Sequence, residues 1–358
     1  GIRIGAVLER NGLRPSRYLG TKDDFVVMAS ECGVLPIDPA DVKYKGRLQP
    51  GRMFLIDTQE RRIISDGELK EEYSARRPYR EWISENTLLL EDLEPASAAP
   101  AHDPDSLLTR QQMFGYTLEV KILLLSPMAA TGTEATGSMG NDAPLACLSD
   151  RPCSLFAYFK QAFAQVTNPA IDSAREVSVM SLVTTLGAEG NLLDETPEQA
   201  RMLQLEQPIL RDDELERIRR NSVPWLQSTT LSTAFQHDVD AVSSLRDALD
   251  RLGAEATEAV HAGKRILILS DREAGAERIP IPSLLAVSAV HHHLIREGLR
   301  TRCGLVLESG EPREVAHFAL LIGFGVSAVN PYLALESVSE LLEEGAFLPP
   351  ELTREEAI

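Results

Sequence analysis

The last third of the sequence alternates between short apolar runs and longer amphipathic runs, and this alternation constrains the fold more than any other feature. Three apolar runs have the length of strands: Arg265–Ser270, Cys303–Leu307 and Val326–Val329. The runs with helical spacing that follow them are Pro282–Glu297, Pro312–Ile322 and Tyr332–Glu344. Strands and helices that alternate at this spacing predict βα units on a parallel sheet.

A polar residue stands at or just after the end of each of these strands. They are Asp271, Glu308 and Asn330. The carboxyl ends of parallel strands form the edge where α/β proteins usually bind ligands, so we expect these side chains at a binding or contact surface. The alternative is that they cap the helices that follow, and the pattern alone leaves both open.

A glycine-rich turn lies earlier in the chain, between apolar segments, and ends at Pro144. Such a turn can bring backbone N–H groups close to a ligand or to another domain. Its candidate contact residues are Gly137, Ser138, Met139, Gly140, Asn141 and Asp142.

The first 70 residues are predicted to be rich in β-structure. Arg52–Asp57 and Arg62–Ser65 flank a polar turn and predict a hairpin. A helix is expected over Tyr73–Thr87, and the Ala-, Pro- and acid-rich stretch after it is typical of a linker. A later amphipathic pattern predicts a helix that ends raggedly near Gly253, with a second helical stretch to His261.

Composition excludes several classes of function. A formal net charge of −18 argues against nucleic-acid binding, because a polyanion is repelled by most of this surface. The apolar stretches are too short to span a bilayer, and four cysteines without metal-ligand spacing fit a reducing compartment. Neighbouring residues in a helix point about 100° apart, so His291, His292 and His293 cannot converge on one ion. No P-loop or dinucleotide fingerprint is present, and no residue is assigned as catalytic, cofactor-binding or metal-binding.

In their order along the chain, several runs resemble the large subunit of glutamate synthase. Those similar to its class II amidotransferase domain are Leu8–Tyr18, Ala29–Leu35 and Gly46–Gly51. Those similar to its central domain are Arg110–Thr117, Gly137–Pro144, Phe163–Pro169, Gly187–Leu193, Ile281–Leu285, His291–Gly298, Glu308–Glu311 and Val329–Tyr332. One departure is Glu9, where the family usually has Asp.

The resemblance implies a fold and a domain organisation. We expect an α/β protein: a β-rich N-terminal remnant of an amidotransferase sandwich, followed by an α/β central domain with parallel βα units. The expected boundaries are 1–88 for the amidotransferase part, 89–106 for a linker and 107–358 for the central domain.

The resemblance also implies the reaction of the whole enzyme, which transfers the glutamine amide nitrogen reductively to 2-oxoglutarate and gives two glutamates. The full enzyme would use FMN and an iron–sulfur cluster, and this segment would bind neither. Its partners would be the remaining domains of the large subunit and a small subunit with NADPH, or ferredoxin, as electron donor, in the cytoplasm or a plastid stroma. The donor and the oligomeric state stay open.

The family's N-terminal nucleophilic cysteine and its FMN domain are expected to lie outside this sequence, so the isolated chain is expected to be inactive. The predicted role is to scaffold the two reaction centres and to line an ammonia tunnel, with the glycine-rich turn and the three strand-end residues as contact surface. The alternatives are a stand-alone module that binds a small metabolite and a purely structural module.

Overall fold

The computed structural model describes residues 1–8, 15–96, 104–136, 144–159, 171, 173–191, 193–236, 240–345 and 347–358. The chain divides into two compact units, Gly1–Glu81 and Trp82–Ile358.

The first unit contains two antiparallel sheets. Its strands are β1 (Arg3–Val7), β2 (Arg17–Thr21), β3 (Val26–Ala29), β4 (Val42–Arg47), β5 (Met53–Asp57) and β6 (Arg62–Ile64). The sheets have the orders β1-β5-β6 and β3-β2-β4. The predicted hairpin is confirmed as β5 paired with β6. Asp57 closes its turn by accepting the N–H groups of Gln59 and Glu60, each at 2.9 Å.

Two helices follow these sheets where the sequence predicts one. They are α1 (Asp66–Ser74) and α2 (Tyr79–Asn86), so the expectation of a single helix over Tyr73–Thr87 is wrong. The break contains Pro78, which cannot donate a helical hydrogen bond and disfavours helical geometry in the residue before it.

The second unit is a mixture of helices and strands. Its strands are β7 (Leu88–Leu89), β8 (Thr184–Gly187), β9 (Met202–Leu205), β10 (Ser228–Ser232), β11 (Ala234–Phe235), β12 (Ile266–Ser270), β13 (Ile279–Pro280), β14 (Gly304–Glu308) and β15 (Ala328–Asn330). Its further helices are α3 (Leu107–Met113), α4 (Leu118–Val120), α5 (Ser126–Thr131), α6 (Ser173–Val179), α7 (Asp212–Arg220), α8 (Ala241–His261), α9 (Ser283–Arg296), α10 (Val315–Gly323), α11 (Tyr332–Glu344) and α12 (Arg354–Ala357).

A four-stranded parallel sheet forms the centre of this unit, with the order β10-β12-β14-β15. The predicted α/β class with parallel βα units is therefore confirmed. Two small sheets accompany it, β7-β9-β8 and β11-β13. Every residue of β12 and β14 is buried, which explains why both strands read as continuous apolar runs rather than as alternating patterns.

Both faces of the parallel sheet are covered by apolar side chains. Leu267, Leu269 and Leu305 face a core that includes residues of α8 and α9. Ile266 and Ile268 point to the other face and pack in a second core with residues of α7, β8 and β9. Successive residues of a strand point to opposite faces, so this three-layer arrangement fixes the register of the strands.

Helix α8 is continuous through Gly253, so the expected break near that residue is wrong. Gly253 is needed for packing instead: a Cβ atom there would lie 3.0 Å from the ring of His293. The glycine lets α9 approach α8 closely, and tertiary packing offsets its low helix propensity.

No single helix within the described residues is long and apolar enough to cross a membrane. One pair of helical segments, Leu107–Met113 and Leu118–Thr131, passes the same criterion of length and composition when taken together, with a bend of 97° between them.

Candidate functional site

The three strand-end residues predicted from the sequence lie side by side in the structure. Glu308 is in register with Ser270 on one side and with Asn330 on the other, and Asp271 follows Ser270 directly. The side chains are buried, with exposed fractions of 2% for Asp271, 1% for Glu308 and 0% for Asn330. We call these three residues and the side chains bonded to them the strand-end cluster.

Glu308 is the carboxylate of the cluster that is neutralised by arginines. Its Oε2 accepts hydrogen bonds from Arg219 Nη2 and Ser270 Oγ, both at 2.6 Å, and its Oε1 accepts one from Arg272 Nε. Burial works against the ionised form, but the two arginines outweigh it and hold the pKa of Glu308 below its ordinary value. Glu308 is therefore an ionised carboxylate with its charge balanced inside the protein.

Asn330 links the end of β15 to the start of α7. Its Nδ2 donates to Leu210 O and to Asp212 Oδ1, each at 2.9 Å. The same Asp212 oxygen accepts a hydrogen bond from Arg272 Nη2 at 3.0 Å. Within the described part of the chain, Asn330 Oδ1 is buried without a hydrogen-bond donor.

Asp271 is the carboxyl group of the cluster whose hydrogen-bond donors, among the residues that the structure describes, are all neutral. Its Oδ2 accepts from Ser309 Oγ at 2.5 Å, and its Oδ1 accepts from Tyr332 OH at 2.8 Å and from Gly310 N at 3.1 Å. Burial raises the pKa of the Asp271 carboxyl to about 7, although the hydrogen bonds from its three donors oppose that rise. Burial and the neighbouring Asp271 also raise the pKa of the Tyr332 hydroxyl.

The loop after β14 carries further contacts that the sequence did not predict. Glu311 Oε2 accepts from the N–H of Ser283 at 2.8 Å and from its hydroxyl at 2.7 Å, at the start of α9. Glu311 therefore caps that helix. The hydrogen bonds found for Asp271, Glu308 and Asn330 go elsewhere, so the interpretation of these three as caps of the following helices is wrong.

The sequence also missed the partners that complete the cluster. They are Arg219, Arg272, Ser309, Gly310 and Tyr332. A signal existed for some of them, because Arg272 stands next to Asp271 and Ser309 follows Glu308 in the sequence. Arg219 gave no such signal, since it lies 89 residues before its carboxylate partner.

The other candidates do not gather into a site among the described residues. His291 Nδ1 accepts a hydrogen bond from Arg300 Nε at 2.9 Å, His293 Nε2 is 2.9 Å from Thr257 Oγ1, and His292 is exposed. The residues that the structure describes include no group of three His, Cys, Asp or Glu placed to hold a metal ion. Burial raises the pKa of the Cys303 thiol to about 11.

The glycine-rich candidates Gly137, Ser138, Met139, Gly140, Asn141 and Asp142 lie outside the described residues. Residues on both sides of them are described. Glu134 Oε1 accepts the N–H of Val315 at 3.3 Å, and Ser154 Oγ donates to Glu311 Oε1 at 2.8 Å.

Comparison with protein families gives two matches. The family described as "Glutamate synthase central domain" matches residues 109–357, and the family described as "Glutamine amidotransferases class-II" matches residues 1–82.

Curated proteins with similar sequences share a common name. The chain is 46% identical over its whole length to "Glutamate synthase [NADPH] large chain" of Bacillus subtilis and covers 23% of that protein. It is 44% identical to "Glutamate synthase [NADH]" of Saccharomyces cerevisiae, with 96% of this chain and 17% of the relative aligned. It is 44% identical to "Ferredoxin-dependent glutamate synthase 2" of Synechocystis sp., with 95% of this chain and 22% of the relative aligned. The chain thus spans less than a quarter of the length of these relatives.

Proposed function

Because this chain belongs to the glutamate synthase family, we propose that it works as the middle of a glutamate synthase, between a glutamine-hydrolysing centre and a flavin centre. The enzyme would transfer the amide nitrogen of glutamine reductively to 2-oxoglutarate and release two glutamates. The observation that carries this proposal is the presence, on one chain, of a class II amidotransferase match at residues 1–82 and a central-domain match at residues 109–357.

The chemistry of the strand-end cluster supports a scaffolding role over substrate binding. Glu308 is neutralised by Arg219 and Arg272, and Asp271 is surrounded by donors from the same chain. A substrate carboxylate would have to displace these buried partners and leave a charge unpaired, which is costly. The cluster is better suited to holding the ends of β12, β14 and β15 rigidly in place.

A strand-end cluster that holds these strands rigidly would help the transfer of ammonia between the two centres. Ammonia that escapes into bulk water is protonated and lost to the reaction, so two separated centres need a path that excludes water. We infer that Gly137, Ser138, Met139, Gly140, Asn141 and Asp142 form part of the wall of this path. We infer that Asp271, Glu308 and Asn330 support the wall from within the fold, and the hydrogen bonds of Glu134 and Ser154 on either side of the turn are consistent with this.

The cofactors and the electron donor would belong to other parts of the enzyme. We propose that FMN and the iron–sulfur cluster are held by other parts of the enzyme. The names of the relatives include NADPH, NADH and ferredoxin, so the same segment is compatible with different donors.

The test uses the intact enzyme that carries this segment. Ser138→Trp or Asn141→Trp should lower glutamate formation from glutamine much more than glutamate formation from added ammonia, because only the first reaction needs the path. Ser74→Trp is a matched control, since Ser74 is exposed at the end of α1. An equal loss of both activities in the Ser138 and Asn141 variants would contradict the proposed wall.

A further inference from the structure

We propose that one face of the sheet β3-β2-β4 binds a small amphiphilic carboxylate. The charged head of this ligand lies between Arg17 and Arg47. Its apolar tail lies along Leu19 and Val27. We call this site the arginine groove; it belongs to the first unit and does not depend on the proposed function of the whole enzyme.

Strand register places six side chains of the arginine groove on the same face of the sheet. They alternate along each strand and lie opposite one another across the strands, as residues of one face must. These six are Arg17, Leu19, Val27, Ala29, Lys45 and Arg47. The intervening residues Tyr18, Val26 and Met28 point the other way and pack in the core of the unit. The groove is therefore on the face of the sheet that is turned away from this core.

The arginine groove has an apolar lining and a small volume. Leu19 and Val27 are half-buried and lie directly opposite each other. Residues 31–35, which follow β3, line the same groove and contribute the apolar side chains of Val34 and Leu35. The volume is about 260 Å³. Because sites for drug-sized ligands hold about 300–1,000 Å³, this one suits a ligand of few atoms.

Three cations border the apolar lining. Arg17, Lys45 and Arg47 are exposed, and within the part of the chain that the structure describes none of their side chains forms a hydrogen bond or an ion pair. The groove contains one acidic residue, Glu31, so three positive charges and one negative charge leave it with a net charge of +2. Charge complementarity therefore selects an anion as the ligand.

Arg17 and Arg47 are direct neighbours across β2 and β4. Side chains in this relationship have Cβ atoms about 4.5–5.5 Å apart, and like charges there destabilise a sheet. A carboxylate between the two guanidinium groups replaces this repulsion with charge-assisted hydrogen bonds, because each guanidinium has several donors in a fork that matches the two carboxylate oxygens. The arginine pair thus selects the head of the ligand, and the apolar lining selects a tail.

The first experiment is calorimetric titration of the 358-residue chain with hexanoate, which has a carboxylate and a short apolar tail. We expect one hexanoate to bind per chain. Acetate and glutamate carry the charge without the tail, and hexanol carries the tail without the charge. Each of these three should bind at least about tenfold more weakly, because each loses either the apolar burial or the charged hydrogen bonds.

Substitution of the arginines tests the position of the head. Arg17→Gln and Arg47→Gln should each weaken hexanoate binding about tenfold or more, since each removes a charged donor. Arg52→Gln is the matched control, because Arg52 is an exposed arginine of the same unit that does not line the groove, and it should bind hexanoate like the wild type. Without ligand, neither groove variant should melt at a lower temperature than the wild type, because each relieves the repulsion between the arginines.

A native thiol reports on the location of the ligand. Cys32 lines the arginine groove and is exposed, whereas Cys147 is an exposed cysteine of the second unit. Hexanoate at ten times its dissociation constant should slow the alkylation of Cys32 by iodoacetamide about tenfold and leave that of Cys147 unchanged. The proposal is overturned if hexanoate does not bind, if both arginine variants bind it like the wild type, or if bound hexanoate leaves the Cys32 rate unchanged. Lower melting temperatures of both variants would assign the arginines a structural role and also contradict it.

Discussion

Arg272 lies over the aromatic ring of Tyr332, with its guanidinium carbon 4.6 Å from the ring centroid. The same guanidinium binds Glu308 and Asp212. One side chain thus joins the end of β12 to β14, α7 and α11. The contact also holds Tyr332, whose hydroxyl group donates to Asp271. Arg272 therefore connects the surroundings of Asp271 with those of Glu308.

Removing the charge of Glu308 should destabilise the second unit strongly. Glu308→Gln removes the carboxylate that Arg219 and Arg272 share, and breaking a buried pair costs up to about 3–5 kcal/mol; the second partners of these arginines, Glu216 and Asp212, offset part of that loss. The free energy of unfolding from denaturant titration measures the loss. Glu60→Gln is the control, because Glu60 and Arg62 form an exposed pair and the change should have little effect. Similar stabilities of the two variants would argue that Glu216 and Asp212 suffice to hold the arginines without Glu308.

Packing at Gly253 should tolerate no larger side chain. Gly253→Leu places atoms against the ring of His293, where a Cβ alone already lies at 3.0 Å, and overpacking of this kind costs about 1–3 kcal/mol. Gly275→Leu is the matched control, because a Cβ there meets nothing within 4 Å. Thermal unfolding compares the two variants, and equal melting temperatures would mean that α8 and α9 can separate without cost.

His317 should remain neutral until the solution is strongly acidic. Burial, with a further contribution from Arg313, lowers its pKa to about 4, and its ring stacks on Phe156 at 4.2 Å between centroids. The unfolded chain takes up this proton near the ordinary value of 6.5, so His317 stabilises the fold above that pH and its contribution is lost as the pH falls towards 4. NMR titration of the imidazole measures the pKa directly, with His317→Gln to identify its signal. A midpoint near 6.5 would contradict the burial seen here.

The isolated chain should not respond to the metabolites of the proposed reaction. In a thermal-shift measurement, 2-oxoglutarate, glutamine, glutamate and FMN are each expected to leave the melting temperature unchanged, because the strand-end cluster is already occupied by its own partners. A ligand at a hundred times its dissociation constant would add about 2.7 kcal/mol of stability, which is readily detected. A clear shift with any of them would favour the stand-alone binding module over the scaffold.

The elements of the second unit could be predicted because their patterns are local. The apolar runs now seen as β12, β14 and β15, and the helices between them, follow from a short window of sequence. Where the prediction was wrong in this unit, a residue had a role that a local pattern does not show: Gly253 serves the packing of His293 rather than ending α8. In the first unit, by contrast, the prediction overlooked a local signal, because Pro78 divides the helix that was expected there.

The sequence by itself determined the α/β class, the acidic character and the placement of Asp271, Glu308 and Asn330 at the ends of neighbouring strands. It did not determine their states of charge. Asp271 meets Ser309 and Tyr332 from 38 and 61 residues away, and Asn330 meets Asp212 from 118 residues away. Only the folded structure places two arginines against Glu308 and neutral donors against Asp271. Burial and these partners then set the free energy of ionising each carboxyl group.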